Sequence, residues 1–393
     1  MTNRKASAGH YPALDLARGC AALLVVAAHA RAFMFVDFGD VQAPTLATKS
    51  FYFMTSLSHQ AVIVFFVLSG FLVGGNVIRS IANGGWNFMS YSIARVTRLW
   101  VVLLPALLMT LILDSFGKGF FGGPFYEGAA YFHSAPNAEA LDASWSLGTF
   151  LQNIFFLQTI TSPTFGTNGP LWSLANEFWY YVIFPLGFFA INNHYRPTVR
   201  LFLLLLTLAI VAALPFQLVA YGMIWLFGYG AAEINHRKFL QFGTRTRWTL
   251  MLAALGLFAC AVVYSRTTQN KAADFGLALA FTLLILMMLK SASAFGASAL
   301  SNISFTLYLT HFPALAFLTN AIFRGERSQP TSGMMLVWLE MICLCIVYAG
   351  VMYLLFEKRT KKLQAKIARL LGVSQKRSET PDAADASKKT AMP

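Results

Sequence analysis

Charge is what this chain has least of. Asp, Glu, Lys and Arg make up 12% of its 393 residues, about half of what a soluble protein carries. That scarcity excludes an ordinary soluble globular fold. Acidic residues are rarer than basic ones, 16 against 30, and the net charge is +14. A basic balance can mark a nucleic-acid binder. Here the basic residues flank apolar runs instead of forming a patch, so no nucleic-acid partner is expected. Cysteine is scarce too. Cys20, Cys260, Cys343 and Cys345 all sit in apolar stretches, and the last two are too close in sequence to share a helix face. This argues against a disulfide framework or a metal site and for buried, inert thiols. No internal repeat and no matched pair of broken helices is visible, which weakens a transporter reading. No appended globular domain is visible either.

Apolar sequence is abundant: 57% of residues are hydrophobic and 36 are Phe. The pattern predicts an all-α, polytopic transmembrane bundle of about ten spans. They fall at 13–36, 58–80, 96–116, 171–191, 199–214, 217–233, 248–265, 273–290, 299–322 and 334–356. The fifth and sixth are divided only by the break around Pro215 and form a tight hairpin. An even number of spans puts both termini on one side. With the termini cytoplasmic, only Lys49, Lys118, Arg266, Lys271, Arg324 and Arg327 fall in outer segments. Every other Lys and Arg outside the first span falls inside, as the positive-inside rule requires. The first span also has features of a cleaved signal peptide: a basic start at Arg4 and Lys5 and small-x-small sites around His29. Asp15 and Arg18 interrupt its apolar stretch and argue against cleavage.

Residues 1–360 are expected to form one membrane domain, with an aromatic outer loop at 117–170 acting as a lid. A short helix near 147–160 within it is expected to be interfacial or re-entrant. Residues 361–393 continue as a cytoplasmic tail. Lys358–Leu371 reads as a basic amphipathic helix on the anionic inner leaflet, and 372–393 as disordered.

The first span carries the chemistry of most interest. Asp15, Arg18 and His29 are costly in hydrocarbon unless paired or facing a polar cavity. At about 100° per residue they share one helix face, with His29 roughly 16 Å beyond Arg18. Other motifs supply candidate partners. Ser69-Gly70 in Phe65–Leu72 lets another helix approach closely. Arg95 and Arg98 open the third span; an i,i+3 arginine pair either grips a phosphate or marks a cytoplasmic flank. Trp172, Ser173 and Glu177 enter the fourth span from outside. Glu177 is placed to bind a sugar hydroxyl, to act as a base, to orient a histidine, or to form a structural ion pair. In the ninth span Ser304 and His311 share a face, with Tyr308 one turn before His311.

Together these pieces resemble the acyltransferase-3 family of integral membrane acyltransferases, which includes bacterial O-acetyltransferases of surface polysaccharides. Leu14-Asp15-x-x-Arg18-Gly19 with His29 looks like its opening motif, and Phe65–Leu72 like its Phe-Phe-x-x-Ser-Gly-Phe-Leu signature. Arg95-x-x-Arg98, Trp172-Ser173-Leu174-x-x-Glu177, Leu307-Tyr308-Leu309-x-His311 and Glu357-Lys358 resemble four more elements in the same order. The resemblance covers residues from about 10 to 360. Two positions depart: Leu16 replaces a usual glycine, and Phe178 a frequent second glutamate, which leaves Glu177 the only carboxylate of its motif.

The resemblance implies a cytoplasmic acyl-CoA donor, acetyl by default, and a carbohydrate acceptor at the bacterial inner membrane. Arg95 and Arg98 would hold the CoA phosphates, with Arg18 deeper at the thioester end. His29 would act as general base or carry the acyl group as acyl-imidazole. Glu177 would hold the acceptor or orient His29. Asp15, Ser69, Trp172, Ser173, Tyr308 and His311 would line the cavity. No permanently bound cofactor and no metal are required, because a thioester is already activated. The rival readings are a proton-coupled carrier of a small polar solute and a non-enzymatic membrane scaffold.

Overall fold

A computed structural model describes residues 11–122, 126, 144–289 and 297–373. Among these residues the protein is all-α, with only isolated bridges at Phe35–Ser328 and Gln158–Ser162. The helices, in chain order, are α1 (Pro12–Met34), α2 (Leu46–Met54), α3 (Ser58–Ala82), α4 (Phe88–Phe120), α5 (Leu147–Ile154), α6 (Leu171–Ile191), α7 (Pro197–Ala213), α8 (Phe216–His236), α9 (Thr244–Thr268), α10 (Lys271–Met288), α11 (Ala297–Phe323), α12 (Ser332–Leu355) and α13 (Thr360–Leu370).

Each predicted span corresponds to a helix. Among the described residues, eight helical segments are long and apolar enough to cross a membrane. The other two predicted spans are α7 and α8. At 17 residues, α7 is about 25 Å long, short of a 30 Å hydrocarbon core. It fully buries none of its residues, and only one face, with Leu203, Thr207 and Ile210, is half-buried against α6. Leu214 is extended ahead of Pro215, and this breaks α7 from α8 as the sequence predicts.

Several boundaries differ from expectation. Helix α4 starts at Phe88, where the Asn87 side chain accepts the Ser90 N–H at 2.8 Å. Arg95 and Arg98 therefore lie inside a helix already under way and do not open it. Helix α5 stops at Ile154, because Phe156 adopts a left-handed φ of 59°. The cysteines also differ from the buried thiols expected. Cys20, Cys260 and Cys343 are exposed on the outer faces of their helices; only Cys345 is buried. Part of the proposed lid, 123–125 and 127–143, lies outside the described residues. So do Arg4, Lys5 and Lys290, and the tail from 374 onward.

Two packing features place the site. Helices α3 and α8 cross at backbone contact. A Cβ on Gly70 would lie 1.9 Å from the Trp225 carbonyl oxygen, and one on Gly228 would lie 1.9 Å from that of Val67. Helix α1 packs along α11, which carries the second histidine.

The loop ahead of α6 is tied down by a side chain that sequence reasoning passed over. Asp114, fully buried in α4, accepts the Thr167 N–H at 2.8 Å and the Thr167 hydroxyl at 2.7 Å. Next to it, Asn168 donates to Thr110 Oγ1 and to the Leu309 carbonyl. Gly166, at a φ of 56°, leaves room for the carboxyl where a Cβ would sit 2.5 Å from its Oδ2. This knot fixes the start of α6 against α4 and α11. Asp114→Ala strands two buried donors and should lower stability by about 2 kcal/mol or more, read as a fall in Tm of the purified protein. Asp114→Asn, which keeps one acceptor, should fall less. Equal Tm for Asp114→Ala and wild type would rule the knot out as an anchor.

Candidate functional site

A cavity of about 690 Å³ opens among α1, α3, α4, α6, α11 and α13. Arg18 enters it from α1, Arg95 and Arg98 from α4, Ser69 from α3, Ser173 and Glu177 from α6, and Tyr308 from α11. Seven expected site residues, scattered over the sequence, thus meet around one space. At its far edge stand Glu357, Lys358, Lys361 and Gln364. The Gln364 side chain donates to the Ala94 carbonyl at 3.0 Å and docks α13 against α4. The basic amphipathic helix is therefore part of the cavity wall, and the division placed at residue 360 cuts through that wall.

The three arginines are held in two ways, Arg18 by a carboxylate and the other two by aromatic rings. Arg18 lies 3.6 Å from Asp15, and Ser301 bridges the two, accepting from Arg18 at 3.4 Å and donating to Asp15 at 3.1 Å. Asp15 thus stands behind Arg18 and is not itself in the wall. Arg95 stacks against the Tyr91 and Tyr181 rings at 5.8 and 5.7 Å, and its Nε is buried with no hydrogen-bond partner. Arg98 lies over the Phe305 ring. Cationic guanidiniums held by aromatic faces keep their N–H groups available for a ligand.

Glu177 makes no hydrogen bond to a histidine among the described residues. Its Oε1 accepts from the Ser69 hydroxyl at 2.9 Å and from the Tyr181 hydroxyl. Ser69 in turn accepts from Trp225 Nε1 at 3.1 Å. A chain of hydrogen bonds, Trp225 to Ser69 to Glu177, so crosses the Gly70–Gly228 contact. Ser69 fills both expected roles, next to a close helix approach and in a cavity wall. Ser173 bonds to the Tyr308 hydroxyl at 2.8 Å. Trp172 is the outlier: its ring packs on Phe66 and Tyr221, 6.0 and 5.6 Å between centroids, and is not in the cavity wall.

The histidines form a layer of their own. His29 Nδ1 and His311 Nε2 are 2.8 Å apart, with the rings stacked at 5.1 Å. His311 Nδ1 lies 2.9 Å from the Leu307 carbonyl, which can only accept. That contact assigns the His311 proton to Nδ1 and leaves Nε2 to accept from His29 Nδ1–H. For two neutral rings, the unshared pair of His29 then falls on Nε2, which has no partner among the described residues. His311 is fully buried, and His29 keeps some exposure. Neither lines the cavity. Tyr308 and Phe65, rings 5.6 Å apart, stand at the cavity's edge, and Tyr308 is 6.1 Å from His311.

Sequence reasoning missed Tyr181, Ser301, Lys361 and Gln364 as site residues, and gave Glu357 and Lys358 no role. Tyr181 was within reach, one helical turn after Glu177. Lys361 and Gln364 were not, because their placement depends on how α13 folds back.

A polar cavity built from four helix-borne arginine and glutamate positions, beside a histidine oriented by a second histidine, suits transfer chemistry. Comparison with known proteins agrees. The acyltransferase domain matches residues 11–357, nearly the whole described structure. No curated protein and no solved structure matches the chain. With that span of sequence accounted for by one domain, and with its apolar helices, the chain belongs to the acyltransferase-3 family and is a membrane acyltransferase.

Proposed function

We propose that this protein is an O-acyltransferase of the bacterial inner membrane. It moves an acyl group, acetyl by default, from cytoplasmic acyl-CoA to a hydroxyl of a surface or exported carbohydrate. The observation that carries this reading is the cavity in which Arg18, Arg95 and Arg98 converge with Lys358 and Lys361. Five cationic side chains in one wall, against the carboxylates of Glu177 and Glu357, suit a ligand carrying several phosphates. CoA is such a ligand. Its phosphates sit at Arg95, Arg98 and the α13 lysines. Its pantetheine arm runs towards Arg18 and past Phe65 and Tyr308 to the histidines.

The chemistry follows from the bare nitrogen of His29. His29 Nε2 takes the proton of the acceptor hydroxyl, and the oxygen attacks the thioester carbonyl. The C–S bond breaks, and the thiolate leaves with the proton held on His29. His311 accepts from His29 Nδ1–H throughout and keeps the ring in the productive tautomer. The same nitrogen is also a nucleophile towards the thioester, which gives an acyl-imidazole that the hydroxyl then attacks. Glu177, bonded to Ser69 and Tyr181, holds the cavity wall next to Arg95. The thioester is already activated, so the step draws on no resident cofactor.

The test has two parts. NMR of surface glycans from a deletion strain and its complemented parent reports the acyl group and its position; identical glycans would end the acceptor assignment. With purified protein, Arg95→Ala together with Arg98→Ala should raise the KM for acyl-CoA about tenfold or more. An unchanged KM would leave those arginines as topology signals.

A further inference from the structure

Arg31 takes no part in the site described so far. It sits two residues after His29 on α1, and lies over the Tyr52 ring at 5.1 Å. Its Nε is buried and has no hydrogen-bond partner. The charged groups within its electrostatic reach are Arg266, Arg327 and Asp37, with the Tyr52 hydroxyl. Asp37, the only carboxylate among them, is taken: both its oxygens receive N–H groups of Arg327 at 3.1 Å. Arg266, at the end of α9, makes one hydrogen bond, from Nε to Ser56 at 2.6 Å. Arg31 and Arg266 thus hold a ring and a hydroxyl only four residues apart, Tyr52 and Ser56, and the one carboxylate within reach of Arg31 already carries Arg327.

Like charges in a partly dehydrated place repel, and an orphaned buried N–H adds its own cost. A structure keeps such an arrangement where a ligand completes it. Planar guanidiniums with free N–H groups match the oxygens of a carboxylate or phosphate. The cluster lies at the end of α1 that carries His29, and the two residues are within electrostatic reach of each other. Along the helix axis they are about 3 Å apart, but about 200° apart around it, so they leave α1 on different sides and a ligand serving both must span them. A uronic acid, or a sugar joined to a lipid phosphate, carries its oxyanion and its hydroxyls within one or two rings.

We propose that Arg31 and Arg266 form an oxyanion site that takes a carboxylate or phosphate carried by the acceptor and so brings the acceptor hydroxyl to His29. The protein then acts on an anionic acceptor and not on a neutral glycan. Naming the ligand as an acceptor rests on the acyl-transfer reading; the oxyanion site itself does not.

The experiment uses the full chain in nanodiscs and two pairs of probes. One pair is tri-galacturonate and its neutral counterpart, galactotriose. The other is polyprenyl phosphate and polyprenol incorporated in the disc. The expected result is that one charged probe binds at least about tenfold more tightly than its neutral partner, with the preference weakened by salt. Arg31→Gln should remove that preference. Arg266→Gln, on a different helix, should do the same and guards against a folding defect in the first variant; Tm is recorded for both. A preference for galacturonate assigns the site to a glycan carboxylate, and one for polyprenyl phosphate to a lipid headgroup. If neither charged probe is preferred, or if both variants bind like wild type, the proposal is overturned. Acetyl-CoA binding is measured on the same samples. Its absence in wild type would remove the acyl-transfer reading and leave the oxyanion site to be judged on its own probes.

Discussion

Protein carrying His29→Ala should bind acyl-CoA as wild type does and transfer the acyl group on the order of 10²–10⁴-fold more slowly. The expectation separates the two layers of the site. The cavity that would hold the donor is built from Arg18, Arg95, Arg98 and Glu177, and His29 is not in its wall. Truncating the imidazole removes the bare Nε2 and leaves those contacts in place, so the loss should appear in kcat and not in KM. His311→Ala should have the same signature with a smaller loss, because His29 remains but nothing selects its tautomer. Substitution by Gln at position 311, which can present an acceptor to His29 Nδ1, should recover part of the rate. Rapid mixing with acyl-CoA in the absence of acceptor then distinguishes the two routes. A burst of one CoA per protein reports an acyl-imidazole, and a flat trace reports general-base catalysis. Full transfer activity in His29→Ala, at equal expression in the membrane, would remove His29 from the mechanism altogether.

Much of this arrangement was legible because ionisable groups in apolar helices stand out. Asp15, Arg18 and His29 are three such groups on one face, and the structure gives all three partners on α11, Ser301 for the first two and His311 for the third. Periodicity could not say which partner met which. Glu177 read as a residue able to orient His29, and the structure joins it to Ser69 and Tyr181. The reason lies in how α3, α6 and α8 close on one another, a matter of tertiary packing. Trp172 looked like a cavity residue by its position at a helix start, but its ring turned to the aromatic cluster with Phe66 and Tyr221. The start of α4 was misplaced because polar first turns lie below any hydropathy threshold, while the Asn87 cap extends the helix through them. Asp114 passed unnoticed because a lone acid near a span end looks like a boundary residue, and its partner Thr167 is far away in sequence.

The close crossing of α3 and α8 should be the least forgiving packing feature of the molecule. Gly70→Ala places a methyl group 1.9 Å from the Trp225 carbonyl oxygen, 2.9 Å from its carbon and 3.1 Å from the Tyr229 nitrogen. All three are backbone atoms of a helix, so no rotamer change relieves the clash. Gly228→Ala meets the Val67 oxygen at 1.9 Å and the Phe71 nitrogen at 2.7 Å, the same contact seen from the other helix. Either substitution forces the two axes apart, and overpacking of this kind costs about 1–3 kcal/mol or more. Gly230 and Gly256, with nothing within 4 Å of a built Cβ, are the controls. There alanine should be neutral or slightly stabilising, since it favours the helix by up to about 1 kcal/mol. Measured as Tm of purified protein, Gly70→Ala and Gly228→Ala should fall well below both controls. The same displacement should reach the site, because Trp225 donates to Ser69 across this crossing and Ser69 donates to Glu177. Any fraction of Gly70→Ala that still folds should therefore show a raised KM for acyl-CoA, while His29 keeps its bond to His311. If Gly70→Ala melts and binds donor like Gly230→Ala, then the two helices do not touch at their backbones, and Glu177 is held in the cavity by something other than this crossing.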